Sequence, residues 1–93
     1  VLPTCENFDK HVFHLFVIRS ENRDDLQEYL LNNGIETVIH YPIPPHKQKA
    51  LPDFNHLSLP ITEKIHQEVL SLPISSALTN EEISNIITTL NCY

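Results

Sequence analysis

Apolar positions along the chain fall into short β-rich runs and stripes at helical spacing, with polar or proline-rich stretches between them. Residues 1–10 show neither pattern and read as a linker or loop. His11-Val12-Phe13-His14-Leu15-Phe16-Val17-Ile18 is apolar at most positions and rich in aromatic and β-branched residues. That pattern predicts a central strand covered on both faces, ending at Arg19-Ser20. His14 lies inside it, either as a hydrogen-bonded core residue or reaching the edge of a pocket. A helix is predicted next. Ser20 or Asn22 can cap it, Asp24 and Asp25 suit its positive end, and Leu26, Tyr29, Leu30 and Asn33 share one face. Gly34 stands where a left-handed C-terminal cap is needed, and Arg23 reads as a solvated first-turn side chain. Ile35–Ile39 predicts a second strand, with Ile35, Thr37 and Ile39 on one face and Glu36 and Val38 on the other.

The second half follows the same logic. Pro44-Pro45 can open a short helix carrying His46 to Leu51, and Pro52 to His56 is turn-like. Ile61 to Leu72 reads as a helix after Pro60, capped by Thr62, with Ile61, Ile65, Val69 and Leu72 buried and His66 on the surface. Ser71-Leu72-Pro73-Ile74 is expected to leave it as an edge strand or extended segment. Thr79-Asn80-Glu81-Glu82 is a capping box opening a helix over 79–91, with Ile83, Ile86, Ile87 and Leu90 as its stripe. The order predicts an α+β, or two-layer α/β, domain in which helices pack on a small sheet.

His40-Tyr41-Pro42-Ile43-Pro44-Pro45-His46 breaks every periodicity. Its prolines fix φ and hold Tyr41, Ile43 and Pro44 in extended geometry. The result is a stiff connector flanked by two imidazoles and a phenol. It is either a plain loop or a rigid mount for hydrogen-bonding side chains facing an anionic or hydroxyl-rich ligand.

Composition narrows the choice. With 93 residues the chain is one small domain, here divided into a linker over 1–10 and a folded unit over 11–93. A net charge of −6 with six Lys+Arg leaves no basic stripe for nucleic acid. No apolar run approaches a membrane span, and no targeting signal is visible, so the expected location is cytoplasmic. One glycine excludes a glycine-rich phosphate loop. Cys5 and Cys92 lie near opposite ends and could be bridged, but nothing else suggests a secreted disulfide scaffold, so two free thiols are expected. His40, His46 and His56 fit neither an HExxH nor a finger spacing, and no metal site is expected. Asp24/Asp25 and Glu81/Glu82 are explained by helix starts, and no serine or cysteine stands in a nucleophile elbow. Methionine is absent, and the chain reads as a piece of a longer protein.

Several blocks, in order, carry a family resemblance. They are His11 to Arg19, Arg23-Asp24-Asp25-Leu26, Leu30 to Thr37, His40 to Gln48, Leu59 to Glu63, Val69 to Ile74 and Leu78 to Ile83. Together, over about residues 11–90, they resemble the C-terminal domain of the DegT/DnrJ/StrS family of PLP-dependent sugar aminotransferases. The resemblance implies the C-terminal small domain of a fold type I aminotransferase. It further implies a parent homodimer that moves an amino group, usually from glutamate, to a nucleotide-linked keto-sugar in polysaccharide or lipopolysaccharide biosynthesis. His40 and Tyr41 match the family's His-Tyr pair facing the nucleotide-sugar, and His46 matches the second histidine, which shapes or lines the same wall. His14 matches a packing position, and Arg19 receives no contact. The PLP-binding domain with its Schiff-base lysine has no counterpart here. PLP therefore belongs to the full-length parent, no cofactor and no catalytic residue is expected in this chain, and the chain alone is expected to be inactive. The competing expectation is a stand-alone α+β regulatory or interaction module.

Overall fold

The computed structural model describes residues 1–93, with every side chain except that of Phe8. Its two strands, β1 (Phe16–Arg19) and β2 (Val69–Leu72), pair antiparallel, with Val17 opposite Ser71 and Ile18 opposite Leu70. On the other edge of β2, Val38 and Ser71 exchange backbone hydrogen bonds of 3.2 and 2.8 Å. β2 is therefore central, and helices α1 (Arg23–Asn32), α2 (Pro60–Glu68) and α3 (Asn80–Asn91) surround the sheet. The predicted α+β class holds. The core is Ile18, Leu26, Leu30, Ile35, Leu70 and Leu72, with Phe16, Tyr29, Ile39, Ile86 and Leu90 against it.

The C-terminal end of α1 and the N-terminal end of α3 follow the sequence. After α1, Gly34 takes φ +77°, while Ile35 N–H donates to the Leu30 carbonyl and Gly34 N–H to the Leu31 carbonyl, each at 2.9 Å. This is a Schellman closure, sealed by the apolar pair Leu30 and Ile35. At α3, Glu82 N–H donates to Thr79 Oγ1 at 3.2 Å and Thr79 N–H to Glu82 Oε2 at 2.7 Å, completing the expected capping box. Asn22 occupies the α1 cap position without a side-chain cap bond.

Several expectations require correction. The first strand begins only at Phe16. Phe13 has φ +45° and donates its N–H to His11 Nδ1 at 2.8 Å, a local bond that competes with a sheet ladder. His14 is exposed rather than packed. The Ile35–Ile39 strand reduces to the single bridge at Val38. The long helix of 61–72 ends at Glu68, and Val69–Leu72, buried at every position, is strand rather than helix. A short apolar run bounded by proline suits a buried strand and a buried helix equally by periodicity. Ile61 and Ile65, expected in the core, are exposed; the cap is Leu59, not Thr62.

Arg23 is also not solvated. Its side chain is 11% exposed, pairs with Asp24, and donates from Nη1 to the Val69 carbonyl at 3.2 Å. Arg19, given no contact, donates from Nε and Nη2 to Glu68 Oε2 at 2.9 and 2.6 Å, tying β1 to the end of α2. The Val1 nitrogen donates to the Arg19 carbonyl at 2.6 Å. Cys5 and Cys92 are free thiols. No helix among the described residues is long and apolar enough to cross a membrane.

Candidate functional site

From the Val38 bridge the chain passes directly into His40, so the sheet sets where the connector starts. The His40 ring is half-buried, with Nδ1 2.9 Å from the hydroxyl of Ser71 on β2. Tyr41 stands out from the surface at 69% exposure, its ring edge-on to His40 at 6.2 Å between centroids. The Tyr41 carbonyl is hydrogen-bonded by Nδ1 of His66 on α2. Pro44 is extended, and Pro45–Lys47 form a single 3₁₀ turn, shorter than the helix expected to Leu51.

His46, by contrast, is buried. It is 5% exposed, and its Nε2 lies 2.9 Å from Glu63 Oε1 on α2. The same carboxylate oxygen accepts the Leu59 N–H at 3.0 Å. Lys47 donates to the carbonyls of Asn55 and Leu57 at 3.0 and 2.8 Å, pinning the following loop. The structure thus brings His40 and Tyr41 together. Among the described residues no hydrogen bond or ring contact joins His46 to either; it anchors the connector from behind. Sequence reasoning did not find the anchors Ser71, His66 and Glu63. The one available signal was Ser71, a lone hydroxyl in the apolar run Val69-Leu70-Ser71-Leu72. His56 is exposed, and no group of three or more His, Cys, Asp or Glu comes together among the described residues.

Residues 1–91 match the DegT/DnrJ/EryC1/StrS aminotransferase family. The chain belongs to this family. Among curated relatives it is 49% identical, over 92 residues, to a dTDP-3-amino-3,6-dideoxy-alpha-D-galactopyranose transaminase of Aneurinibacillus thermoaerophilus, covering 99% of this chain and 25% of that one. It is 40% identical to a dTDP-3-amino-3,4,6-trideoxy-alpha-D-glucose transaminase of Streptomyces venezuelae, over 92% of this chain and 23% of the relative. Among solved structures, S. venezuelae DesV in complex with a ketimine intermediate superposes with a TM-score of 0.79 at 38% identity, covering 85% of this chain and 22% of that chain. NtdA from Bacillus subtilis with bound cofactor PMP gives 0.78 at 36% identity, covering 88% and 20%. The chain therefore spans about a quarter of the length of the sugar aminotransferases it matches, in their C-terminal region.

The residues present here do not fit the family's cofactor. Lys47 is spent on two carbonyls, Lys64 pairs with Glu68 at 3.5 Å, and Lys10 and Lys49 lie exposed. A helix N-terminus is the usual seat for a phosphate. Each helix here carries carboxylates in its first turn: Asp24 and Asp25, Glu63, and Glu81 and Glu82.

Three carboxylates that staple the fold ionise below the ordinary range. Glu63 is lowered chiefly by its hydrogen bond with His46 and then by the Leu59 N–H. Glu68 is lowered chiefly by Arg19, and Glu82 by the N–H and then the hydroxyl of Thr79. A carboxyl whose folded pKa lies below its unfolded one contributes stability that is present above the unfolded value, about 4.3, and lost as pH falls through the folded value. The urea midpoint of the wild type should therefore exceed that of Glu63→Gln at pH 6, and the gap should close as pH drops below about 4. A gap that widens on acidification would refute the assignment.

Proposed function

We propose that residues 11–93, reached through the linker 1–10, form the C-terminal domain of a PLP-dependent nucleotide-sugar aminotransferase and supply one wall of its substrate site. The parent enzyme moves an amino group from glutamate to a nucleotide-linked keto-sugar, works as a homodimer, and feeds polysaccharide or lipopolysaccharide synthesis. The observation that carries this reading is the His40-Tyr41 pair, mounted on a proline-stiffened connector and anchored to β2 and α2. In this reading the second ring nitrogen of His40 and the Tyr41 hydroxyl bind phosphate or sugar oxygens. Prolines 42, 44 and 45 keep both groups in place without an entropy cost at binding. His46, held by Glu63, sets the shape of the wall from inside. The cofactor and its lysine belong to the rest of the parent polypeptide. An apolar groove of about 560 Å³, lined by Phe16, Ile18 and Leu72 of the sheet and by Ile83, Ile86 and Ile87 of α3, is consistent with a domain that normally packs against more protein.

The test is a hybrid in which this chain replaces the matching quarter of the A. thermoaerophilus transaminase. Such a hybrid should hold the cofactor and aminate a dTDP-linked keto-sugar. The isolated chain mixed with PLP should show no absorbance band removable by borohydride. A folded, cofactor-loaded hybrid without sugar-nucleotide turnover, or such a band in the isolated chain, would overturn the proposal.

A further inference from the structure

Three ties from distant residues hold the connector, and all come from residues 63–71, which run through α2 into β2: Glu63 to His46, His66 to the Tyr41 carbonyl, and Ser71 to His40. The last differs from the others because it acts on a side chain that the proposed function aims at ligand.

Ser71 is 5% exposed and sits in the central strand. Its own N–H and C=O are both engaged by Val38, so its Cβ is fixed in position. Its hydroxyl is 2.9 Å from His40 Nδ1. His40 Nε2 has no partner among the described residues. No buried side-chain nitrogen or oxygen among them lacks one, so Nε2 reaches solvent. The bond at one ring nitrogen decides which nitrogen carries the proton. Phosphate and carbonyl oxygens only accept, so an imidazole that binds them must offer an N–H.

We propose that Ser71 is a positioning residue for His40. Its hydroxyl donates to Nδ1, holds the neutral ring as the Nε2–H tautomer, and turns that N–H toward an anionic oxygen of the nucleotide-sugar. This rests on the substrate-facing reading of the connector. A hydroxyl can reverse its role and accept from Nδ1–H when the imidazole gains a proton. The tie therefore survives both charge states, and Nε2 remains a donor in each. A carboxylate at position 71 would favour Nδ1–H and leave Nε2 as an acceptor facing an anion, and an alanine would leave Nδ1 unpaired.

Two measurements test it separately. Long-range ¹⁵N–¹H spectra of the histidine-labelled chain, at about pH 8 where imidazoles are neutral, should show His40 protonated at Nε2 with Nδ1 shifted by an accepted hydrogen bond. In Ser71→Ala that Nδ1 resonance should move to the position of an unbonded nitrogen. A wild-type His40 protonated at Nδ1 overturns the proposal with no variant needed, as does an Nδ1 signal that ignores the substitution. In the hybrid transaminase, Ser71→Ala should weaken sugar-nucleotide binding by about 10-fold, the loss expected when one hydrogen bond is no longer aimed. Ser71→Thr, which keeps the hydroxyl, should restore it. If the spectra behave as expected and binding does not change, the Ser71–His40 tie stands and the substrate-facing reading falls.

Discussion

Leu70→Ala should destabilise the chain by roughly 2–5 kcal/mol, while Ile61→Ala should change stability by less than about 0.5 kcal/mol. Leu70 is 0% exposed, lies opposite Ile18 in β2, and belongs to the cluster that includes Leu26, Leu30 and Ile35. Truncation removes transferred apolar surface and leaves a cavity whose walls are a strand pair and α1, which cannot collapse freely. A domain of this size has only about 5–15 kcal/mol in total, so urea unfolding should shift to a much lower midpoint, or the variant should lose its cooperative transition. Ile61 is 78% exposed on the first turn of α2 and offers little to lose. The pair is diagnostic. A single helix over 61–72 would bury Ile61, Ile65, Val69 and Leu72 and leave Leu70 off the stripe, giving the reverse order of effects. A costly Ile61→Ala and a tolerated Leu70→Ala would reject the strand assignment.

That contrast marks what was legible in the sequence and what was not. Signals written in a few adjacent residues are legible: the Gly34 closure and the Thr79/Glu82 capping box. Each is decided by local φ preference or by a side chain reaching its own backbone. The errors arose where partners distant in sequence decide. Val69–Leu72 is strand because β1 and Val38 hydrogen-bond to it from both sides, and nothing within its four residues announces either neighbour. The strand pattern overruns the observed start at Phe16 because hydrophobicity at Val12 and Phe13 does not reveal that the His11 ring accepts the Phe13 N–H. The site divides in the same way. His40, Tyr41 and His46 stand out as polar aromatic groups on a rigid segment. Their anchors Ser71, His66 and Glu63 are 31, 25 and 17 residues away in sequence, and two of them lie on α2, whose stripe of Ile61 and Ile65 is exposed and so does not mark its buried face.

In the hybrid transaminase, His40→Ala should lower kcat/KM for the nucleotide-sugar by roughly 10- to 150-fold, the value of one hydrogen bond to a charged oxygen at about 1.5–3 kcal/mol. Tyr41→Phe should fall in the same range and is the cleaner test. The Tyr41 ring is 69% exposed, and its backbone carbonyl, not its hydroxyl, carries the tie to His66. Removing the hydroxyl therefore leaves every contact that shapes the connector in place, and folding stability should not change. His40→Ala also vacates Nδ1 and leaves the Ser71 hydroxyl without its partner, so part of its loss can be structural. The two variants together separate binding from scaffolding. A Tyr41→Phe hybrid with unaltered stability and reduced kcat/KM places the phenol on the substrate. If Tyr41→Phe retains full kcat/KM while His40→Ala loses both stability and activity, the pair serves only to hold the connector, and the wall of the substrate site lies elsewhere on this domain.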